Sequence, residues 1–317
     1  MFDNILIPLD GTVSSARALP FAVALAERTH AGLTLVRQAF QPSIRFGDSA
    51  IDQQRAIMEA EEYLFSVAGE LHDRGFSVQV GVPFDGSAGK WIVEEIALRH
   101  ADLIVMATHD RLGPDRWLHG SVAETVVHDA SVPVMLVRAP HGEQPSPRFA
   151  NQDSTIIVPL DGSKFAEAAL PVANELGRVL GVRIVLVGVV PEATQIVAAP
   201  DGVPLSDGPD SERLQAITQA YLEAVATRVE LTGVEWVQRL GEPAVEVAAL
   251  AEERSACAVV MATHGRMGPA RSVLGSVAGG VLRRTSIPLM VIGPCQQQPS
   301  LPVGVAANHP AGGGSAA

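Results

Sequence analysis

The sequence predicts an α/β fold built twice, as two tandem domains, each a doubly wound sheet of five parallel strands covered by helices. The first observation behind this is an internal duplication. Ile5-Leu6-Ile7-Pro8-Leu9-Asp10-Gly11-Thr12 returns as Ile156-Ile157-Val158-Pro159-Leu160-Asp161-Gly162-Ser163, and Val105-Met106-Ala107-Thr108-His109 returns as Val260-Met261-Ala262-Thr263-His264. Gly113-Pro114 then answers Gly268-Pro269, Gly120-Ser121-Val122-Ala123 answers Gly275-Ser276-Val277-Ala278, and Ser131-Val132-Pro133 answers Ser286-Ile287-Pro288. The second observation is the period. Asp161 follows Asp10 by 151 positions and His264 follows His109 by 155, far too long for a solenoid unit and right for a whole domain with its own core. The third is the regular alternation of short apolar runs with amphipathic stretches.

In the first copy, residues 5–9 form a continuous apolar strand. Residues 14–29 read as one helix with Ala18, Phe21, Ala22, Leu25 and Ala26 on one face, stopped by Gly32. A strand follows at 33–36, a long amphipathic helix at 52–73 ended by Gly75, and a third strand at 76–80. A helix at 91–99, a strand at 103–107, a helix at 121–129 and a strand at 134–137 complete the copy, and the order repeats from Ile156 to Ile292. Strands joined by helices imply right-handed crossovers and a parallel sheet covered on both faces, with ligands at the carboxyl ends of the strands where strand order reverses. Domain boundaries are expected at 1–140 and 153–294. A Pro-rich linker at 141–152 separates them, and a disordered tail, poor in large apolar side chains, covers 295–317.

Composition fits two such domains: 47% hydrophobic and only 4% aromatic over 317 residues. With 23 Lys and Arg against 35 Asp and Glu, the net charge of -12 repels polyphosphate backbones and argues against nucleic-acid partners. A small nucleotide remains open, because clustered backbone N–H groups bind phosphate without a basic surface. Of the two cysteines, Cys257 precedes a buried-looking run and reads as a small hydrophobe. A basic leader and a bilayer-length apolar run are both missing, so a cytoplasmic protein without membrane attachment is expected.

Both repeated motifs fall at predicted strand ends. Asp10 and Asp161 are either N-caps for the helices that follow or carboxylates that accept hydrogen bonds from ribose hydroxyls or an adenine amino group. The stretch Gly265 to Gly268, then Gly275-Ser276, leaves a strand and re-enters a helix. It is either a plain helix start or a phosphate site, with free N–H groups at the positive end of a helix dipole, a Ser276 hydroxyl, and Arg266 or Arg271 adding charge. His109 and His264 lack a nucleophile and an orienting acid at readable spacing, so they read as loop-fixing or ligand-contacting, and no catalytic residue is assigned. Phe84 to Trp91 resembles a P-loop only superficially, with wrong glycine spacing, no hydroxyl residue after Lys90, and a position in what reads as an insertion.

The pairing of Pro-Leu-Asp-Gly-Ser with Val-Met-Ala-Thr-His-Gly-Arg, then Gly-Ser-Val-Ala and Ser-Ile-Pro-Leu-Met-Val-Ile, resembles the universal stress protein family, here as a tandem pair over about residues 1–139 and 153–293. The resemblance implies a Rossmann-like, adenine-nucleotide-binding fold. ATP-binding members carry Gly, two residues, Gly, nine residues, then Gly-Ser or Gly-Thr. Copy two matches with Gly265 and Gly275-Ser276, the first glycine being Ala262. Copy one has Ala107 first and Asp110 in place of the second glycine, and an acid there repels phosphates.

By position, the resemblance implies nucleotide contacts from Pro159, Leu160, Asp161, Val189, Met261, Ala262, Gly265, Gly275, Ser276 and Val277. The matching residues in copy one are Pro8, Leu9, Asp10, Gln38, Met106, Ala107, Gly120, Ser121 and Val122. The expected cofactor is ATP, with magnesium bound only through the nucleotide, since no cluster shows metal-ligand spacing. The expected role is a nucleotide-dependent stress-response regulator, with a slow ATPase or self-phosphorylating protein and a nucleotide-independent assembly protein as alternatives. The repeated last strands are expected to pack the halves together as a pseudo-dimer and to support a homodimer of chains.

Overall fold

The computed structural model describes residues 2–39, 50–83, 87–108, 121–138, 146–149, 153–191, 211–229, 233–263 and 274–297. The first half runs β1 (Asn4–Pro8), α1 (Val13–Ala16), α2 (Leu19–Thr29), β2 (Gly32–Val36), α3 (Ala50–Asp73), β3 (Val78–Gly81), α4 (Ala88–Leu98), β4 (Leu103–Thr108), α5 (Ser121–Asp129) and β5 (Val134–Arg138). The second repeats it as β6 (Thr155–Pro159), α6 (Lys164–Glu167), α7 (Ala169–Leu180), β7 (Arg183–Val190), α8 (Ser211–Arg228), β8 (Glu235–Leu240), α9 (Pro243–Glu253), β9 (Ala258–Ala262), α10 (Ser276–Arg284) and β10 (Leu289–Ile292).

The ten strands form one sheet in the order β3-β2-β1-β4-β5-β10-β9-β6-β7-β8. Inside each half the pairings are parallel, and chain order reverses between β1 and β4 and between β6 and β9. At the centre β5 and β10 pair antiparallel, with Val134 opposite Val291, Met135 opposite Met290 and Leu136 opposite Leu289. The doubly wound sheets are as expected, and the last strands do join the halves.

Side chains alternate between two apolar layers, as the period-two pleat requires. Ile5, Ile7, Leu33, Leu35, Leu103, Val105, Ile156 and Val158 enter the layer under α2, α3, α7 and α8. Leu6, Val36, Ile104, Met106 and Ile157 enter the layer with Trp91, Val126, Val247 and Val281, under α4, α5, α9 and α10. Each layer runs unbroken across the β5–β10 seam, so the halves do not own separate cores, contrary to the expectation from period length. Phe149, just ahead of the second half, is buried in the first layer and meets Phe21 edge-on at 6.0 Å.

Several local expectations change. The helix expected over 14–29 breaks after Ala16, because Pro20 has no N–H to continue the ladder and opens α2 instead. His30, in the left-handed region at φ 59°, ends α2 with its N–H on the Ala26 carbonyl, as Gly181 ends α7, while Gly32 begins β2. The segment around Lys90 is no insertion, because α4 has its counterpart in α9. Residues 295–297, placed in the tail, belong with Pro294 to a 3-10 turn (Pro294–Gln297) whose Gln296 Nε2 donates to the Val132 and Ala130 carbonyls at 2.7 and 3.4 Å. The rest of the tail and most of the linker lie outside the described residues.

The expected homodimer through the last strands finds no edge to use. β5 lies between β4 and β10, and β10 between β5 and β9, so both strands are paired on both sides.

Candidate functional site

The strand reversals lie between β1 and β4 and between β6 and β9, so the candidate mouths open where these strands end. In copy two β6 closes at Pro159, the Leu160 N–H donates to the Val187 carbonyl at 2.9 Å, and Gly162 turns the chain at φ 83°. Asp161 Oδ1 accepts from the Ser163 N–H at 2.9 Å and from Ser163 Oγ at 2.6 Å. Ser163 Oγ accepts in turn from the Ala166 N–H at 3.1 Å. Copy one repeats this with Asp10, Thr12 and Ser15 at 2.9, 2.6 and 3.2 Å. The N-caps are therefore Thr12 and Ser163. Asp10 and Asp161 orient those caps through one oxygen while their carboxylates stay exposed.

The neighbouring strand supplies backbone. In a parallel strand the N–H and C=O of one residue face the same neighbour and those of the next residue face the other. The Val187 carbonyl faces β6, and the Val190 carbonyl accepts the Gly241 N–H on the β8 side at 3.0 Å. The Val189 N–H and C=O therefore face the β6 side, past the end of that strand and beside Asp161. Gln38 occupies the same place in copy one, because the Leu9 N–H donates to Val36 while Arg37 and Ala39 donate to Gly81 and Pro83 on the β3 side.

The far wall comes from β4 and β9, with Met106, Ala107, Met261 and Ala262 buried at their carboxyl ends. Helix α10 starts at Gly275, whose φ of 72° and ψ of 156° suit glycine, and no side chain caps it. The N–H groups of its first turn are thus not taken by a side-chain cap, Ser276 is exposed, and a Cβ on Gly275 would meet nothing within 4 Å. Ser121 opens α5 and Val122 is half-buried in its first turn. His109, Asp110, Gly120, His264, Gly265, Arg266 and Arg271 lie outside the described residues. The structure therefore brings Asp161, Leu160 and the Val189 backbone to one rim, with Met261, Ala262, Gly275, Ser276 and Val277 on the elements that bound it.

Two features escaped the sequence reading. Tyr63 on α3 and Tyr221 on α8 are equivalent residues, each followed by a buried leucine, Leu64 and Leu222. Each phenol lies within electrostatic range of the aspartate of its own copy; burial, the largest cause, raises both above the ordinary tyrosine value. Tyr221 also donates to Glu167 Oε1 at 3.2 Å. The second feature is Arg37. Its guanidinium stands 5.0 Å from the centre of the Tyr63 ring and so close to Gly11 that a Cβ there would come within 2.8 Å of Arg37 Cζ. Copy two has Gly188 at that position. Aligning the two copies shows the difference, but only the fold shows that it falls at the mouth.

No group of three or more His, Cys, Asp or Glu able to hold a metal ion occurs among the described residues. No helix among them is long and apolar enough to cross a membrane.

A reversing, doubly wound parallel sheet with backbone donors and carboxylates gathered at the reversal defines a Rossmann-like protein. The chain belongs to the universal stress protein family, whose model matches residues 1–138 and 154–293. It is 28% identical over 302 residues to the universal stress protein Rv2005c of Mycobacterium tuberculosis, covering 91% of this chain and 96% of that one. It is 29% identical over 147 residues to the universal stress protein MJ0531 of Methanocaldococcus jannaschii, covering 45% of this chain and 86% of that one. A universal stress protein structure from Archaeoglobus fulgidus superposes with a TM-score of 0.68 at 21% identity, over 92% of this chain and 96% of that one.

Proposed function

We propose that the second half of this universal stress protein binds an adenine nucleotide, ATP with its own magnesium, and that occupancy regulates the protein's contacts during stress. The observation that carries this reading is the uncapped start of α10 at Gly275, on the same rim as Asp161 and the Val189 backbone. The α10 N–H groups and Ser276 suit the phosphates, Asp161 suits ribose or the adenine amino group, and the Val189 N–H and C=O suit the adenine edge. Pro159, Leu160, Met261, Ala262, Gly265 and Val277 complete the proposed contacts, within a working unit of residues 153–294. The corresponding set in copy one, from Pro8, Leu9, Asp10, Gln38, Met106, Ala107, Gly120, Ser121 and Val122, is the weaker candidate because Asp110 replaces a loop glycine. Mass spectrometry of nucleotide released from purified, denatured protein, together with ATP titration by calorimetry, tests the proposal. ATP binding lost on Asp161→Ala supports it. Absence of any co-purified adenine nucleotide together with no heat of ATP binding overturns it.

A further inference from the structure

We infer that Arg37 is a built-in plug that closes the purine side of copy one's mouth, so that only copy two can receive a nucleoside. This rests on the reading of the β6–β7 rim as the base-binding side, carried to the equivalent β1–β2 rim.

Arg37 follows the last residue of β2, and its N–H is taken by the Gly81 carbonyl of β3 at 3.1 Å, which fixes its backbone in the sheet. From there its side chain reaches across the mouth. The guanidinium lies against Gly11, the residue after Asp10, covers the Tyr63 ring at 5.0 Å, and directs Nη1 to the Glu59 carbonyl at 3.5 Å. Stacking on an aromatic face favours this placement of a cation. Tyr63 feels both this cation and the Asp10 carboxylate, the first lowering and the second raising its pKa. The position is occupied from three sides: strand, turn and helix.

In copy two the same position is Gly188. A Cβ there would come within 2.5 Å of Thr218 Cγ2 and 3.1 Å of Leu222 Cδ1, so α8 closes directly onto the strand and leaves no room for a longer side chain. Over Gly162, the counterpart of Gly11, a Cβ would meet nothing within 4 Å. The same turn is therefore covered by a guanidinium in one copy and, among the described residues, by nothing in the other. A flat heterocycle placed beside Asp10 and the Gln38 backbone would have to displace Arg37 from Tyr63.

Adenosine is the probe, because without phosphates it reports the purine side independently of the glycine loop. Calorimetric titration of the full chain is expected to give one adenosine site in the wild type and two in Arg37→Gly. The added site should have an affinity within about tenfold of the first. Asp10→Ala introduced into Arg37→Gly should remove the added site alone, and Asp161→Ala the original site alone. Arg37→Ala serves as the second variant should glycine at a strand end lower stability, with thermal melting as the check on folding. Two adenosine sites in the wild type overturn the inference, as does a folded Arg37 variant with unchanged stoichiometry, or one that loses a site. A wild type with no site and an Arg37→Gly chain with one would refute the reading of copy two while leaving the plug standing.

Discussion

Met135 and Met290 face each other across the central seam, and they are the same residue of the duplicated unit. With Val134 opposite Val291 and Leu136 opposite Leu289, the pairing is symmetric about these two methionines, and an approximate two-fold axis passes between them. Both are fully buried in the layer that spans the halves. Met135→Ala and Met290→Ala should each lower stability by about 2 to 5 kcal/mol, the range for deleting a buried methionine side chain. Because the two share one space, the double variant should deviate from the sum by more than about 0.5 kcal/mol in urea denaturation. Strict additivity would show that they do not pack as a unit.

The symmetric seam also predicts how the halves behave apart. A fragment ending before residue 149 would expose β5, apolar from Val134 to Val137, as an edge whose natural partner, β10, has the same sequence character. It should pair with itself and elute as a dimer in light scattering at micromolar concentration. A monomeric, folded fragment would contradict this.

Helix packing supplies a compensated pair. A Cβ on Gly89 of α4 would come within 2.6 Å of Thr125 Cβ on α5, whereas in copy two the roles reverse, and it is Gly280 of α10 that lies against Ala244 of α9. Gly89 and Ala244 are equivalent positions, as are Thr125 and Gly280. Gly280→Thr alone should overpack the α9–α10 contact and cost about 1 to 3 kcal/mol. Adding Ala244→Gly should recover part of the loss by recreating the copy one arrangement. No recovery in the double variant would mean that the helices are held apart by other contacts.

Gly275→Ala should weaken ATP binding and mildly destabilise the chain. The cause is backbone strain, about 1 to 3 kcal/mol for a residue held at positive φ with extended ψ, and not crowding by the methyl group, which would meet nothing within 4 Å. Unchanged affinity and melting temperature would dismiss both effects.

Burial pushes the Cys257 thiol from 9.0 up to about 12, and its Sγ donates to the Thr155 carbonyl at 3.4 Å. Between those values the unfolded state binds fewer protons than the folded state, so stability falls as pH rises above about 9, by at most about 1.4 kcal/mol per pH unit. Comparing the pH slope of wild type with Cys257→Ala isolates the effect; identical slopes above pH 9 would refute it. Native protein should also react with a thiol reagent at the exposed Cys295 and not at Cys257.

Much of the fold was legible because the duplication and the apolar strand runs are local signals. Asp10, Asp161 and Gly275 could be located for the same reason: they stand at strand and helix ends, where sequence patterns change. Their roles were less legible. That Asp161 orients a cap instead of being one depends on which of two neighbouring oxygen-bearing residues reaches the helix N–H. Arg37, Tyr63 and Tyr221 went unnoticed because their meaning depends on α3 and α8 folding back over β2 and β7, a long-range relationship without a local motif. The joined cores were missed for a related reason, since a repeat period says how large a unit is but not whether its outer strand finds a partner.

The antiparallel seam has a directional consequence. Strands of the first half and of the second run in opposite senses through one sheet, so their carboxyl ends emerge on opposite rims of the molecule. Each rim carries a single mouth, the one shut by Arg37 and the other, among the described residues, uncovered above Gly162. The chain thus has two unlike poles, and a partner protein with a flat surface can inspect only one of them at a time. On the proposed reading of copy two as the nucleotide site, a partner that senses the nucleotide directly approaches from the second pole, leaving the first available to a different partner.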